Sequence, residues 1–218
     1  LVHGADFYMQ PRWHPKGKKL AWIEWDHPQM PWDGSRLVVA ELGRRSDGQP
    51  FIKARQTIAG DIDESVSQPC FSPDGRYLVY TSDRRGWSNL WCRDLQSNEE
   101  RCLTEDEYDV ATQAWVQGLR AFGFCADGHL AFARSERGGR RAHRVDLNSG
   151  EIAPIAALSS YDHVEQLAPA PRGDALACIA SAPTIPARIV VSAAQKIQIR
   201  ARSSSESLAA ADLSQPEP

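Results

Sequence analysis

Short runs of alternating apolar and polar residues, broken at intervals by glycine and proline, fill most of the chain. In 76–82, Tyr77, Val79 and Thr81 alternate with Leu78 and Tyr80. Period-two alternation of β-branched and aromatic residues predicts a strand. A strand at 68–72 precedes it, and Pro73-Asp74-Gly75 forms the turn between them. Proline fixes φ at the start of such a turn and glycine supplies the positive φ at its end. After a second turn, Asp83-Arg84-Arg85-Gly86, strands are expected at 88–95 and 100–103, giving four antiparallel strands in succession.

The same strand-turn-strand phrase occurs four times: QPRWHPKGKKLAWIE from Gln10, QPCFSPDGRYLVYTS from Gln68, RAFGFCADGHLAFAR from Arg120 and QLAPAPRGDALACIA from Gln166. Its turn glycines, Gly17, Gly75, Gly128 and Gly173, recur at or just above the interval of about 40–50 residues typical of four-stranded propeller blades. Third strands are expected at 36–42, 140–147 and 187–192, and fourth strands at 51–59, 151–156 and 196–201. Helical periodicity is confined to a hint at 207–213. The predicted fold is an all-β propeller segment over 1–202 with about four blades, near 6–59, 64–104, 117–157 and 162–202. It is either part of a larger ring or a small closed one, since rings of about 4 to 8 blades are known. Residues 203–218, rich in Ser, Ala, acid and Pro, read as a linker or frayed tail.

Composition narrows the partners. The net charge is −3 over 218 residues, without the basic signature of a nucleic-acid or anionic-membrane surface. No apolar run approaches the ~18 residues of a membrane helix and no signal segment opens the chain, so a cytoplasmic protein is expected. The five cysteines show no CxxC pair or flanking histidine at zinc spacing, and no metal or cofactor is expected. Cys92 and Cys102 are candidates to face each other across a hairpin, but in a reducing compartment all five read as packing thiols. The chain opens on leucine and ends on a linker-like stretch, as expected of a piece of a longer polypeptide or a processed one.

Aligning the turn glycines exposes candidate chemistry. Asp6, Glu64 and Asp162 each stand eleven residues ahead of a turn glycine, with Gln10, Gln68 and Gln166 four residues further on. The third copy has Gln117 in the acid's place, with Glu107 and Asp109 just upstream. In a propeller these acids lie in the loops leading to the innermost strands and form an acidic rim that attracts a cation such as a peptide amine. The alternative is that acids and glutamines tie neighbouring blades together through backbone hydrogen bonds. The loop 26–34 carries Trp32 and Asp33 between stiffening prolines; Trp32 is offered either to substrate or a second domain, or as a cap on its blade. Asp26-His27 and Asp162-His163 are isolated pairs.

No catalytic signature is present. The nearest approach to a nucleophile elbow, Gly86-Trp87-Ser88-Asn89-Leu90, lacks the final glycine and lies in a hairpin. GxGxxG, P-loop, HExxH and EF-hand patterns are also missing.

The segments ADFYMQPRWHPKGKKLAWIEWDHPQMPWDG, DESVSQPCFSPDGRYLVYTSDRRGWSNLW and TQAWVQG closely resemble the propeller of bacterial prolyl oligopeptidase family serine peptidases, nearest the acylaminoacyl-peptidase and dipeptidyl-aminopeptidase-like branch. The resemblance spans about 5–191 and is specific in WDHPxMPWDG and GWxNL, whereas SPDG is shared with many propellers, TolB-type ones included. In GFCADGH the third copy departs from the pattern, with Cys125 and Ala126 replacing a Ser-Pro or similar pair.

The resemblance implies a propeller that precedes an α/β-hydrolase domain with a Ser-Asp-His triad, covers its active site and filters substrates by size. The hydrolase is expected to begin about where Gln215-Pro216-Glu217-Pro218 ends. This chain is then a non-catalytic gate, inactive alone, whose partners are peptide substrates and the hydrolase domain. The candidate contacts are Glu64, Asp6, Asp162, Gln68, Trp32 and Asp33. The alternative is a stand-alone TolB-like scaffold that binds a protein.

Overall fold

The computed structural model describes residues 1–205 and 208–214. Two compact units are formed, Leu1–Glu107 with Ala111–Leu119, and Tyr108–Val110 with Arg120–Pro218. In the first, β1 (Phe7–Trp13), β2 (Lys19–Trp25), β3 (Arg36–Arg44) and β4 (Pro50–Ala59) make one antiparallel sheet in chain order. A second sheet there contains β5 (Val66–Phe71), β6 (Tyr77–Ser82), β7 (Asn89–Asp94) and β8 (Glu100–Cys102).

The second unit repeats the meander with β9 (Phe122–Phe124), β10 (His129–Glu136), β11 (Gly139–Asp146) and β12 (Ile152–Pro154), then β13 (His163–Pro169), β14 (Leu176–Ala182), β15 (Ile185–Ala193) and β16 (Lys196–Arg202). One parallel bridge, Arg140 to His163, joins these two meanders into an eight-stranded sheet. The fold is all-β with antiparallel sheets, as in a β-propeller.

The fourth strand expected at 151–156 stops at Pro154, and the chain closes into a 3-10 turn at Ala156–Leu158. A second such turn, Ala210–Asp212, lies within the segment expected to be a tail. Residues 206, 207 and 215–218 of that segment lie outside the described residues. Among the described residues no helix is long and apolar enough to cross a membrane.

Burial follows strand position. No residue of β2 or β6 is exposed, because each inner strand is covered on both faces, whereas β4 and β16 are exposed along most of their length. In the first unit Met9, Ile23, Leu37 and Val39 pack against Val66, Leu78, Tyr80 and Trp91 of the following meander. In the second, Ala131, Ala133 and Tyr161 pack against Val164, Leu167, Cys178 and Val190. Within each unit the two meanders thus complete one core, the arrangement expected of stacked repeats.

The recurring glutamines have a backbone role that residue types do not display. Gln10, Gln68 and Gln166 have φ of 53°, 51° and 56°, and each sits where the register of its first strand slips, between Met9 and Arg12, Ser67 and Cys70, and Glu165 and Ala168. Each is a β-bulge with a left-handed residue, which turns that residue's N–H away from its own ladder. The N–H of Gln68 donates to Oε1 of Gln10 at 2.5 Å, and the N–H of Gln10 donates to Oε1 of Gln117 at 3.2 Å. In the third copy Ala121 holds the equivalent place, no left-handed residue occurs there, and β9 is only three residues long. Gln10→Ala is expected to cost about 1–3 kcal/mol in chemical denaturation, because it leaves the buried Gln68 N–H without its acceptor, and Gln10→Glu is expected to recover part of the loss.

A second link joins the first two meanders at their turns. Lys16 N–H donates to Nδ1 of His14, so Nε2 carries the proton and donates to the Gly75 carbonyl at 2.9 Å. Gly75 has φ of 77°, and a Cβ there would sit 2.4 Å from the His14 ring, so glycine answers both the turn and the approach of the imidazole.

All five cysteines are free thiols. The β7–β8 register pairs Cys102 with Trp91 and Cys92 with Arg101, so the two candidate partners are one residue out of step and on opposite faces of the hairpin.

Candidate functional site

Three loop segments of the first unit meet around Trp32. The loop between β2 and β3 is held by Asp33 Oδ2, which accepts the Met30 N–H at 3.2 Å. The loop between β4 and β5 lies against it, since Gln29 Nε2 donates to the Ile62 carbonyl at 3.2 Å and the Ser35 N–H donates to the Glu64 carbonyl at 3.0 Å. The contact is close enough that a Cβ on Gly34 would fall 2.1 Å from the Ile62 oxygen. The third segment, 111–119, is tied by Gln117 to Gln10 and by the Ala111 N–H, which donates to Ser88 Oγ at 3.1 Å. It places the Trp115 ring 4.4 Å from that of Trp32, tilted by 46°. Trp32 is half-buried in this pair, and Asp33 is exposed.

Glu64 stands beside that loop, but its carboxylate is engaged from the second hairpin. Ser82 Oγ donates to its Oε1 at 2.6 Å and Arg84 Nε donates to the same atom at 2.9 Å. Arg84 also donates to Glu100 Oε2 at 2.7 Å and to the Tyr80 hydroxyl at 2.8 Å, while its guanidinium lies 4.1 Å from the Trp91 ring centre. The Tyr80 hydroxyl donates in turn to Glu100 Oε1. Burial, then the Glu100 carboxylate, pushes the Tyr80 hydroxyl far above its ordinary pKa, so it acts as a fixed donor.

Asp6 ties its own meander: its Oδ2 accepts the His27 N–H at 3.0 Å, while the Asp6 N–H donates to Asp26 Oδ1 at 3.0 Å. Arg36 Nη2 donates to Asp26 Oδ2 at 2.6 Å. The Arg36 bond, followed by the Asp6 N–H, holds Asp26 below the ordinary carboxylate value of 3.8. A carboxyl depressed on folding stabilises the native state above its unfolded pKa and loses that contribution as pH falls through the folded one. Asp26→Asn is therefore expected to lower the urea midpoint at neutral pH, with the gap from the parent protein closing once pH drops below 3.8.

The remaining repeat positions behave similarly. Asp162, in the second unit, accepts from Arg141 Nη2 at 2.7 Å, and its carbonyl accepts the Arg140 N–H at 2.7 Å. Gln68 is buried at its bulge. The structure thus gathers Trp32, Asp33, Glu64 and Gln68 into one region of the first unit, sets Asp6 with Asp26 and His27 and Asp162 with Arg141, and gives each acid a local partner. Sequence reasoning missed Trp115 and Arg84. Trp115 lies in a loop without periodicity, and Arg84 sits in a turn whose charged residues look solvated.

Among the described residues no acid-base or nucleophilic machinery emerges. Among the described residues no group of three or more His, Cys, Asp or Glu is placed to hold a metal ion. Ser88 Oγ accepts a backbone N–H at its hairpin. Burial pushes the thiols of Cys70 and Cys92 up to about 11 and that of Cys178 to about 12, the reverse of what a reactive cysteine needs. A cleft of about 580 Å³ in the second unit contains Cys125, whose thiol is likewise raised by burial, and His129.

No family model matches the chain. Among solved structures, a puromycin-hydrolyzing peptidase of Mycobacterium tuberculosis is 30% identical with a TM-score of 0.87, the match covering 100% of this chain and 32% of that one. Prolyl oligopeptidase B of Galerina marginata, 13% identical with a TM-score of 0.68, shares the fold over 93% of this chain and 27% of its own. A curated protein, dipeptidyl-peptidase 5 of Porphyromonas gingivalis, is 28% identical over 110 residues, 50% of this chain and 14% of that protein. The chain therefore spans about a third or less of the length of these three proteins.

Proposed function

From the match of this chain to the propeller portion of prolyl oligopeptidase family peptidases, we propose that it is the non-catalytic, substrate-gating part of a peptidase that cleaves short peptides. The supporting observation is the likeness over 100% of this chain to 32% of a peptidase. The four meanders are four blades of a larger propeller, and an α/β-hydrolase domain elsewhere in the polypeptide supplies the chemistry. Gating then works by exclusion: a polar passage admits flexible peptides, refuses folded ones and keeps bulk water from the reaction.

Within this reading Trp32 and Asp33 touch the peptide, while Asp6, Glu64, Gln68 and Asp162 hold the loops and first strands that shape the passage. Reading the source gene on both sides of this segment tests the proposal. An in-frame α/β-hydrolase with a GxSxG motif supports it; a stop codon directly after Pro218, with no hydrolase upstream, replaces it with the scaffold reading. The isolated 218-residue chain is expected to show no peptide hydrolysis, and turnover by it contradicts the division of labour.

A further inference from the structure

The loop cluster around Trp32 presents more apolar surface than its own packing uses. Trp115 is 73% exposed, Ile62 64%, Val116 62% and Met30 43%. A patch of this kind rimmed by polar residues marks an interaction surface. Here the rim is acidic: Asp33, Asp61 and Asp63 are exposed on the same loops, and no lysine or arginine occurs in 26–35, 60–66 or 111–119. Asp33 and Asp61 accept backbone N–H groups from Met30 and Ile62, so their charge is not consumed by a basic side chain.

Indole faces beside carboxylates form a receptor for a planar cation. The chain itself contains a filled example, with the Arg84 guanidinium 4.1 Å from the Trp91 ring and bonded to Glu64 and Glu100. Guanidinium stacks flat on an indole and is weakly hydrated, so it gains more from such a surface than a compact ammonium does.

We propose that Trp32, Trp115 and the carboxylates of Asp33, Asp61 and Asp63 bind an arginine side chain of a peptide, giving the gate a preference for arginine-bearing substrates. The peptide source rests on the gating function; the binding chemistry rests on this surface alone. Trp115, exposed over most of its surface and packed against Trp32 at 4.4 Å, leaves indole surface for the guanidinium to stack on. The rim acids raise the local concentration of cationic peptides, an effect that added salt screens.

The test titrates the 218-residue chain with acetyl-Gly-Arg-Gly-amide and, separately, with its citrulline counterpart, which keeps the shape and loses the charge. Blocked ends remove any contribution from a free amine. The readout is the NMR shift of the indole N–H signals of Trp32 and Trp115. The arginine peptide is expected to shift both signals saturably, the citrulline peptide to bind more weakly, and Trp115→Ala to weaken arginine binding about two- to five-fold, the range of an exposed cation–π contact. Adding salt is expected to weaken the arginine peptide only.

Equal binding of the two peptides to the unaltered chain overturns the proposal, whatever the variant does. So does arginine binding that leaves the Trp32 and Trp115 signals unmoved. Either result leaves the gating function standing, because that function is read from the dependence of hydrolysis on peptide length.

Discussion

Gly60→Ala is expected to be the most damaging single-methyl change in the first unit, lowering stability by about 3–5 kcal/mol in urea denaturation. Gly60 has φ of 92°, and a Cβ there would lie 1.9 Å from the Ser35 carbonyl oxygen and 2.8 Å from Val66 Cγ2. The oxygen belongs to backbone just ahead of β3, so no rotamer change relieves the clash. Either β3 or the start of β5 must move, and both carry buried core residues, Leu37 and Val66. Gly48→Ala is the control: its φ of 84° imposes a similar conformational penalty, but nothing lies within 4 Å of the added methyl. The control is expected to lose only about 1 kcal/mol, the cost of the left-handed conformation itself. Equal losses for the two variants would show that the close approach of the two loops is not needed. The same approach positions Ile62 and the Glu64 backbone beside Gly34 and Ser35, so Gly60→Ala is also expected to scatter the loops that carry Trp32.

Arg84→Ala is expected to lower stability by about 2–3 kcal/mol, somewhat less than for a fully buried pair because the site is partly open to water. The Arg84 side chain is 26% exposed, and those of Glu64 and Glu100 are 18% and 19% exposed. Removing it leaves Glu64 without its cation and Glu100 with only Arg93, 3.9 Å away, takes a donor from the Tyr80 hydroxyl and removes the guanidinium from the Trp91 face. Adding Glu64→Gln to Arg84→Ala removes one of the stranded charges, so the double variant is expected to be more stable than Arg84→Ala alone. A double-mutant cycle measures that coupling. Strictly additive losses would mean that Arg84 contributes by packing on Trp91 rather than through charge.

These two sites also show where sequence stopped short. Alternation around Leu78 and Tyr80 located β6 to within a residue, because a strand covered on both faces and bounded by proline and glycine turns leaves a strong pattern. β4 is exposed along most of its length and was legible instead from its place in the repeat: expected at 51–59, it is found at Pro50–Ala59. The third copy was less legible: Arg120 and Ala121 lie outside β9, which begins at Phe122, and without the left-handed glutamine the strand is short.

The glutamine repeat was visible as a pattern, but its meaning lay in a backbone dihedral and in a hydrogen bond between residues 10 and 68, which residue identities do not encode. Likewise the recurring acids were visible, whereas their use was set by partners distant in sequence: Arg36 for Asp26 beside Asp6, Arg84 for Glu64, and Arg141 for Asp162. The glutamines tie neighbouring meanders, as Gln10 does Gln68, whereas the carboxylates of Asp6 and Glu64 are held within their own meanders. Trp115 was beyond reach, since the loop that carries it has no period and meets Trp32 only through tertiary packing.

We propose that this chain gates a peptidase. The most direct measurement is kcat/KM of the polypeptide encoded by the complete reading frame, against peptides of increasing length that share one cleavable bond. A gate predicts efficient cleavage of the shortest peptides and a fall of about tenfold or more, equivalent to about 1.4 kcal/mol in the barrier, once the peptide is too long or too folded to pass. A kcat/KM that stays level across the series, or that persists against a folded protein carrying the same bond in a loop, would contradict the account.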